Sequence, residues 1–282
     1  MELFQYDFMQ RALVAGLITA IVCPCIGMFV VVRRQSLLGD GLGHIAFAGV
    51  TGGYLAGVYP TAAAVLATVL GAAAIEIIRR RHSHYADMGL AIFFYAGIAL
   101  AIIFSTMTRM PSSGLIGFLF GSILTVSAQD ILLIGAVALL VLVTVLKLFP
   151  QLVLASFDEE MASVAGIDTG RLSMIFSILT ALVVVVGMMS VGILLVSALM
   201  VVPVAAAHLL GKGFKGTLIW AVGLSLCAVT GGLILSFYLD IAPGGTIVMT
   251  AIALYLAVQA FSLAGGRRLA SKTDSSIGSG ES

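Results

Sequence analysis

Long apolar stretches, separated by short clusters of charged residues, dominate this sequence. Of its 282 residues 61% are hydrophobic and 10% are charged, whereas a soluble domain contains about 25% charged residues. A helix that crosses the hydrocarbon core of a bilayer needs about 20 apolar residues. The chain is therefore an integral membrane protein, and it has too few polar residues to carry a sizeable soluble domain as well.

Nine segments have the length and apolar character of membrane-spanning helices. Their approximate bounds are 12–32, 42–58, 60–78, 88–106, 130–149, 171–190, 191–210, 216–238 and 245–264. No polar turn separates the sixth from the seventh, and we expect the break at Ser190, Gly192 or Pro203. Gly114 to Leu124 is too short to span and is predicted to be re-entrant or interfacial. The predicted fold is an all-α polytopic membrane protein with eight to ten transmembrane helices, of which nine is the favoured count.

Clusters of basic residues set the predicted orientation, because short cytoplasmic loops carry an excess of Lys and Arg. The clusters are Arg33-Arg34, Arg79 to Arg81, Lys212 with Lys215, and Arg267-Arg268 with Lys272. Nine spans and one re-entrant piece place all four on the cytoplasmic side, with the N-terminus outside, whereas Arg109 falls on the outer side. We expect one transmembrane domain over residues 1–265 and a disordered cytoplasmic tail over 266–282.

Asp40 and His44 lie four residues apart at the start of the second predicted span. Positions i and i+4 share one face of a helix, and an ionisable residue within a span indicates a functional site. Carboxylate and imidazole together suit zinc, manganese or ferrous iron. Two ligands are too few for a tight site, but a twofold homodimer would supply two more. The alternative is that Asp40 caps the helix and that His44 bonds a carbonyl group.

Other residues are weaker candidates for a metal pathway. Cys23 and Cys25 flank a proline inside the first span, and two thiols beside a kink can bind a soft or borderline metal; as an alternative they are small apolar residues of the core. Asp240 lies in the predicted outer turn YLDIAPGGT, where it either lines an entrance or serves as a turn residue. His82 and His84 are interpreted as part of a solvated basic loop.

The cytoplasmic loop PQLVLASFDEEMASVAGIDTG predicts a short amphipathic helix over about 156–166. Ser156 can cap it, and acidic residues in its first turn suit the helix dipole. Its apolar side chains share one face at helical spacing, and Gly166 ends it. The helix is either an ordinary interfacial helix or a coupling helix that docks into a soluble partner.

Two further sequence features bear on helix packing and on ATP binding. Gly49, Gly53 and Gly57 are spaced so that another helix can approach closely. The chain has no nucleotide-binding G-x-x-x-x-G-K-[ST] motif, so it is not itself an ATPase.

Four stretches together carry a resemblance to a known family. In order along the chain they are VVRRQSLLGDGLGHIAFAGV, LFGSILTVSAQD, LASFDEEMASVAGI and LDIAPGGTIVMT. They resemble the membrane permease of the bacterial metal-ion ABC importers for zinc, manganese and iron, over about residues 8–261. The wording RRQSLLGDGLGH is closest to the zinc-uptake branch.

The resemblance implies a multi-pass permease of the bacterial cytoplasmic membrane that works as a homodimer. It implies a cytoplasmic ATP-binding subunit as the enzyme, and an extracellular lipoprotein or periplasmic protein that delivers the metal. The metal is cargo, and no permanently bound cofactor is expected. The family's metal-contacting acid and histidine match Asp40 and His44. The family's coupling helix matches a segment whose residues include Phe157, Asp158, Glu159, Glu160, Ala165 and Gly166.

Other readings of the residues remain open at this point. An ion-driven secondary metal transporter would need no ATPase. An intramembrane metalloenzyme would use Asp40 and His44 as zinc ligands together with a general base. A purely structural membrane subunit is a further alternative.

Overall fold

The computed structural model describes residues 7–81, 86–108, 117, 119, 128–211 and 213–277. The described residues form ten helices and no strand, which confirms the all-α prediction. The helices are α1 (Asp7–Val32), α2 (Leu38–Ala56), α3 (Pro60–Arg81), α4 (Ala86–Thr108), α5 (Ala128–Phe157), α6 (Glu159–Val164), α7 (Thr169–Val191), α8 (Ile193–His208), α9 (Phe214–Leu239) and α10 (Pro243–Ile277).

Each of the nine predicted spans coincides with one long helix, and α6 is the short helix between two of them. Among the described residues, seven helices are long and apolar enough to cross a membrane by themselves. The apolar part of α8 is shorter, and α2 has only 19 residues and contains an acid and a histidine. Neighbouring helices bury much of α2 and α8, so these two helices need not face lipid along their whole length.

Parts of the predicted organisation fall outside the described residues. These are most of the re-entrant stretch from Gly114 to Leu124, Arg109, and the pair His82 and His84. The last helix continues past residue 266, where the sequence predicts that a disordered tail begins. The end of that tail, 278–282, is also outside the described residues, and the disorder of the tail stays a prediction.

Individual residues explain where the helices end. Gly57 closes α2 in the left-handed conformation at φ 67°, and Pro60 begins α3, as expected for a glycine after one helix and a proline at the start of the next. Gly192, at φ 90° and ψ 159°, separates α7 from α8. The predicted break is therefore at Gly192, and Pro203 lies inside α8.

Contacts between helix ends show that the basic clusters gather at one end of the bundle. Arg33, after α1, bonds Ser173 near the start of α7. The Phe214 ring, at the start of α9 beside Lys215, lies 6.0 Å from the Phe157 ring at the end of α5. The ends of α3 and α10 reach the same end, through Ser177 on α7 and Leu209 after α8 respectively. We call this end, which includes α6, the basic end.

Burial separates a central pair of helices from an outer shell. In α1 and α7, 72% of the most apolar window is buried, against 11–33% in the other five candidate spans. Phe29 and Phe176 are fully buried in the centre, with ring centroids 6.2 Å apart. The outer helices expose large apolar side chains, such as Leu132 and Leu146, at 75% and 72%. Such a surface suits hydrocarbon, since lipid chains are as apolar as leucine.

Small residues bring the helices into close contact. A Cβ atom added at Gly49 of α2 would lie 2.7 Å from the Cα of Ala64 in α3, and one at Gly53 would lie 2.8 Å from the Cβ of Ala63. Gly27 of α1 lies in the same way against the carbonyl oxygen of Met200 in α8. The predicted close approach at Gly49 and Gly53 is confirmed, whereas Gly57 serves as the helix cap.

We expect Gly49→Val to destabilise the bundle by about 1–3 kcal/mol, because the new side chain would overpack the contact between α2 and α3. The matched control is Gly135→Val in α5, where an added Cβ has no neighbour within 4 Å. Thermal unfolding of the two variants in the same detergent measures the difference. Equal unfolding temperatures for the two would contradict the packing role of Gly49.

Candidate functional site

Asp40 and His44 lie one turn apart on α2, and both are half-buried. The residue that precedes the helix is Leu37, and no side chain caps the first turn. The alternative that Asp40 is the helix cap is therefore wrong, because Asp40 is already inside α2. Within the described residues no hydrogen bond engages the His44 ring, which packs edge-on against Phe94 of α4 with ring centroids 4.7 Å apart.

The pair lies near mid-depth in the bundle. A Cβ atom added at Gly97 would lie 2.9 Å from the backbone carbon of His44, and Gly97 is the midpoint of α4. One added at Gly71, near the midpoint of α3, would lie 2.8 Å from a side-chain methyl of Ile45. His44 is therefore level with the middle of two long helices, and Asp40 is one turn nearer the basic end.

Glycines on both sides of Asp40 allow the neighbouring helices to approach it. Added Cβ atoms at Gly39, Gly41 and Gly43 would each lie 2.9 Å from a side-chain atom, of Ser197, Leu90 and Ile193 respectively. The start of α2 is thus closely flanked by α4 and α8, and a larger residue at any of these three positions would displace a neighbouring side chain. The buried hydroxyl of Ser197 has no hydrogen-bond partner among the described residues.

The sequence reasoning missed Phe94, Gly97 and Ser197 as neighbours of the pair. Each stands in an apolar span on another helix, where nothing in the local pattern distinguishes it. The alternation of glycine in GDGLG was the available signal that α2 is closely surrounded near Asp40.

One copy of the described chain supplies only two ligands at this place. Among the described residues, no group of three or more His, Cys, Asp or Glu side chains could hold a metal ion together. Asp40 and His44 alone form an incomplete donor set of one carboxylate and one imidazole, since tetrahedral zinc sites take three or four protein ligands. A metal ion held here would need further ligands from outside this set.

The structure does not bring the other pathway candidates to this pair. Cys23 is fully buried in the apolar core of α1 and Cys25 is half-buried, and residues two apart point to different sides of a helix. Asp240 is exposed and ends α9 in the left-handed conformation at φ 52°. None of the three is on α2, and a role in the metal pathway stays a prediction for each.

The predicted coupling helix is present as α6, with shorter bounds than expected. Its cap is Asp158, whose side chain accepts a hydrogen bond from the Met161 amide at 2.8 Å. Ser156 belongs to the end of α5 and donates to the Leu152 carbonyl at 2.6 Å, so the prediction that Ser156 caps the helix is wrong. Glu159 and Glu160 occupy the first turn, as predicted.

Apolar side chains around α6 point away from the protein. Val164, Phe157 and Met161 are 85%, 67% and 61% exposed. Ala162 faces inward and is fully buried, and Gly166 ends the segment at φ 82°. Three exposed apolar side chains beside the cap of a short helix form a surface that another protein can cover. We call Phe157, Met161 and Val164 the exposed face of α6.

A network of charged residues holds the basic end together. The Glu76 side chain is 3% exposed, and it accepts hydrogen bonds from Arg79 at 2.8 and 2.9 Å and from Arg80 at 2.9 Å. The Ser177 hydroxyl donates to Glu76 at 3.2 Å and so ties α7 to α3. A single buried carboxylate therefore pairs with two guanidinium groups and offsets one of their two positive charges.

Arg33 connects three helices at the same end. It donates to the hydroxyls of Ser156 at 3.0 Å and Ser173 at 3.2 Å, and it lies 4.7 Å above the Phe176 ring. Burial lowers the pKa of Arg33, as does the nearby Arg79, whereas Glu159 and Glu76 act in the opposite direction. Arg33 still remains charged, because an arginine does not lose its proton in proteins.

Comparison with known proteins matches residues 5–262 to the model of the ABC 3 transport family. A probable metal transport system membrane protein of Treponema pallidum is 33% identical over 94% of this chain and the whole of that protein. The manganese transport system membrane protein MntC of Halalkalibacterium halodurans is 32% identical, over 90% of this chain and 87% of its own. The high-affinity zinc uptake system membrane protein ZnuB of Haemophilus influenzae is 29% identical, over 89% and 96%.

A solved structure has the same fold. It is that of PsaBC from Streptococcus pneumoniae in complex with Fab, with a TM-score of 0.82 and 29% identity, over 91% of this chain and 92% of that chain. The likeness extends over nearly all of the bundle.

We expect Glu76→Gln to lower the free energy of unfolding by up to about 3 kcal/mol, because it leaves two partly buried guanidinium groups without a carboxylate. The control is Asp168→Asn at the same end. It removes an ion pair with Arg171 whose side chains are 57% and 87% exposed, which is worth less than about 1 kcal/mol. Denaturant or thermal unfolding compares them, and a larger effect of Asp168→Asn would contradict the role given to Glu76.

Proposed function

This chain belongs to the ABC 3 transport family, and we propose that it is the permease subunit of an ATP-driven importer of a divalent transition-metal ion. Zinc is the ion we propose first, with manganese or iron as the alternatives. The observation that carries the proposal is the Asp40–His44 pair, held at mid-depth in a bundle that matches metal transport proteins over nearly its whole length. A binding site near the middle of the membrane is where transporters hold their cargo.

The donor atoms support a borderline divalent cation. Imidazole suits zinc and iron, carboxylate suits manganese and also zinc, and the affinity of a given site for zinc exceeds that for manganese. Metal binding needs Asp40 ionised and His44 neutral, because a protonated imidazole has no lone pair to give. The names of the relatives include both manganese and zinc, so the choice of zinc rests on the donor chemistry and on the wording RRQSLLGDGLGH.

A homodimer would complete the ligand set. Two copies related by a twofold axis would contribute two carboxylates and two imidazoles if the α2 helices met near the axis. The site would then form and open as the two copies move relative to each other. A transporter must release its cargo, so ligands divided between two movable bodies serve release better than a closed site in one chain.

Coupling to ATP hydrolysis would take place through α6. We propose that Phe157, Asp158, Glu159, Glu160, Ala165 and Gly166 form this contact. The exposed face of α6 gives a partner apolar area to bury, and the network around Arg33 joins this end of α5 to α1 and α7. Movement of α6 would thus be passed to the centre of the bundle. The permease itself would carry out no hydrolysis, which belongs to the ATP-binding subunit.

The remaining parts of the system follow from the same assignment. An extracellular lipoprotein or periplasmic protein would deliver the metal to the end of the bundle opposite α6, and the basic end would face the cytoplasm together with the C-terminus. Cys23, Cys25 and Asp240 are proposed as secondary residues of the pathway. Family membership favours this function over a secondary transporter, a metalloenzyme or a structural subunit, and the two-ligand set of the described residues does not support a metalloenzyme.

Metal uptake into reconstituted vesicles tests the proposal. The permease is combined with its ATP-binding subunit and binding protein, and zinc and manganese are offered in competition with and without ATP. We expect ATP-dependent accumulation of zinc. Preference for manganese would make the chain a manganese importer of the same family, and uptake indifferent to ATP would contradict an ABC importer.

In the same assay, Asp40→Asn and His44→Gln should each abolish uptake while leaving the assembly of two permease copies intact, because each removes one ligand type from the site. Cross-linking or mass measurement of the purified protein checks the assembly. Asp7→Asn serves as the matched carboxylate control, and we expect it to leave uptake nearly unchanged since Asp7 is exposed in the first turn of α1. Normal uptake by both α2 variants would refute the metal site.

Val164→Glu should remove the permease's effect on ATP hydrolysis, because a charge replaces the most exposed apolar side chain of α6. Zinc binding to the permease alone should be unchanged, since Asp40 and His44 are on another helix. Val164→Ile keeps the apolar surface and should behave as the native chain. If the Val164→Glu permease still changed the rate of ATP hydrolysis as the native permease does, α6 would not be the coupling element.

A further inference from the structure

A second feature of the basic end lies beside the exposed face of α6. The end of α1 and the residues after it, the ends of α3 and α5, and the start of α6 enclose a cavity of about 220 Å³. It is lined by Val32, Arg33, Arg34, Gln35, Arg79, Ala155, Ser156, Phe157 and Glu159. Three of these residues are arginines and only one is acidic. We call it the arginine pocket.

The positive charge of the arginine pocket is not balanced by its surroundings. Glu76 serves both Arg79 and Arg80. The hydrogen bonds of Arg33 go to neutral serine hydroxyls, and its Nη2 has no partner within the described residues. Arg34 is exposed, and its side chain forms no hydrogen bond or ion pair with another described residue. The single wall carboxylate, Glu159, forms no ion pair within 4.0 Å in this part of the chain. The three arginines therefore outnumber the single carboxylate of the lining, and the cavity has room and charge for a further anionic group.

The position of the pocket indicates where that group comes from. Phe157 is both a wall of the pocket and part of the exposed face of α6, so a protein that covered this face would also cover the pocket. Guanidinium groups covered by a partner are costly unless they are paired, and arginine binds carboxylates with two parallel hydrogen bonds. The lipid-facing surfaces of the outer helices are elsewhere, along α3, α4, α5, α9 and α10.

We propose that the arginine pocket receives an acidic side chain of the ATP-binding subunit, as a contact additional to α6. This inference rests on the proposed function, because it requires that such a subunit docks at the basic end. Arg34 lies in the short loop that leads to α2, so an ion pair here would join the partner to the helix that carries Asp40 as well as to α6.

The test measures the affinity of the detergent-solubilised permease for its purified ATP-binding subunit. Arg34→Glu should weaken binding at least about tenfold, and Arg34→Lys should keep most of it. The matched control is Arg81→Glu, which makes the same charge change at an exposed arginine of the same end that does not line the pocket, and it should have little effect. Arg33 is left unchanged, because its contacts hold three helices together.

A rescue experiment then identifies the partner residue. Acidic residues on the docking side of the ATP-binding subunit are changed one at a time to lysine, and we expect one of them to restore binding to the Arg34→Glu permease. If Arg34→Glu and Arg81→Glu weaken binding equally, or if the loss occurs only when anionic lipid is present, the proposal is overturned. If the native permease does not bind the ATP-binding subunit at all, the proposed function itself fails, which is a different result.

Discussion

Close contact of helices through small residues is the condition on which this structure depends. In lipid there is no hydrophobic force between helices, so association relies on packing and on polar contacts between them. Gly27, Gly49 and Gly97 let α1, α2 and α4 touch neighbouring backbones. The same contacts enclose α2, and this is why a helix that contains a carboxylate and an imidazole can lie in the interior. Packing thus positions the candidate metal site before any metal is present.

Polar chemistry in the described residues is concentrated in two places. Arg33, Glu76 and their partners gather at the basic end, where α6 is also found. Asp40 and His44 lie deeper, near mid-depth. A single short loop, residues 33–37, leads from Arg33 at the basic end to α2, which carries Asp40 and His44. The basic end, α1 and α2 are therefore mechanically connected. A movement of α6 would therefore have a physical route to Asp40 and His44, through the residues that hold Arg33.

Sequence reasoning predicted what depends on composition and local periodicity. The nine long helices, a break at Ser190, Gly192 or Pro203, the acidic first turn of α6 and the shared side of the basic clusters all follow from apolar length, glycine and charge. It did not predict that Ser156 bonds Leu152 and Arg33. Ser156 and Asp158 are equally good helix caps by residue type. Asp158 is the cap because α5 extends to Phe157. Nor could sequence reasoning place Phe94, Gly97 or Ser197 beside the pair, since their roles arise from helix packing.

The incompleteness of the ligand set is itself consistent with transport. A closed site of three or four ligands within one chain would hold zinc tightly, as structural zinc sites do, and release would then require the fold to break. A carboxylate and an imidazole on a single helix give a weaker grip that a second copy can strengthen or relax by a small movement. Dense packing around α2 resists gradual deformation, so such movement is more easily a displacement of whole helices than a change within one. A rigid α2 with an incomplete site therefore fits a machine in which binding and release are set by the arrangement of subunits.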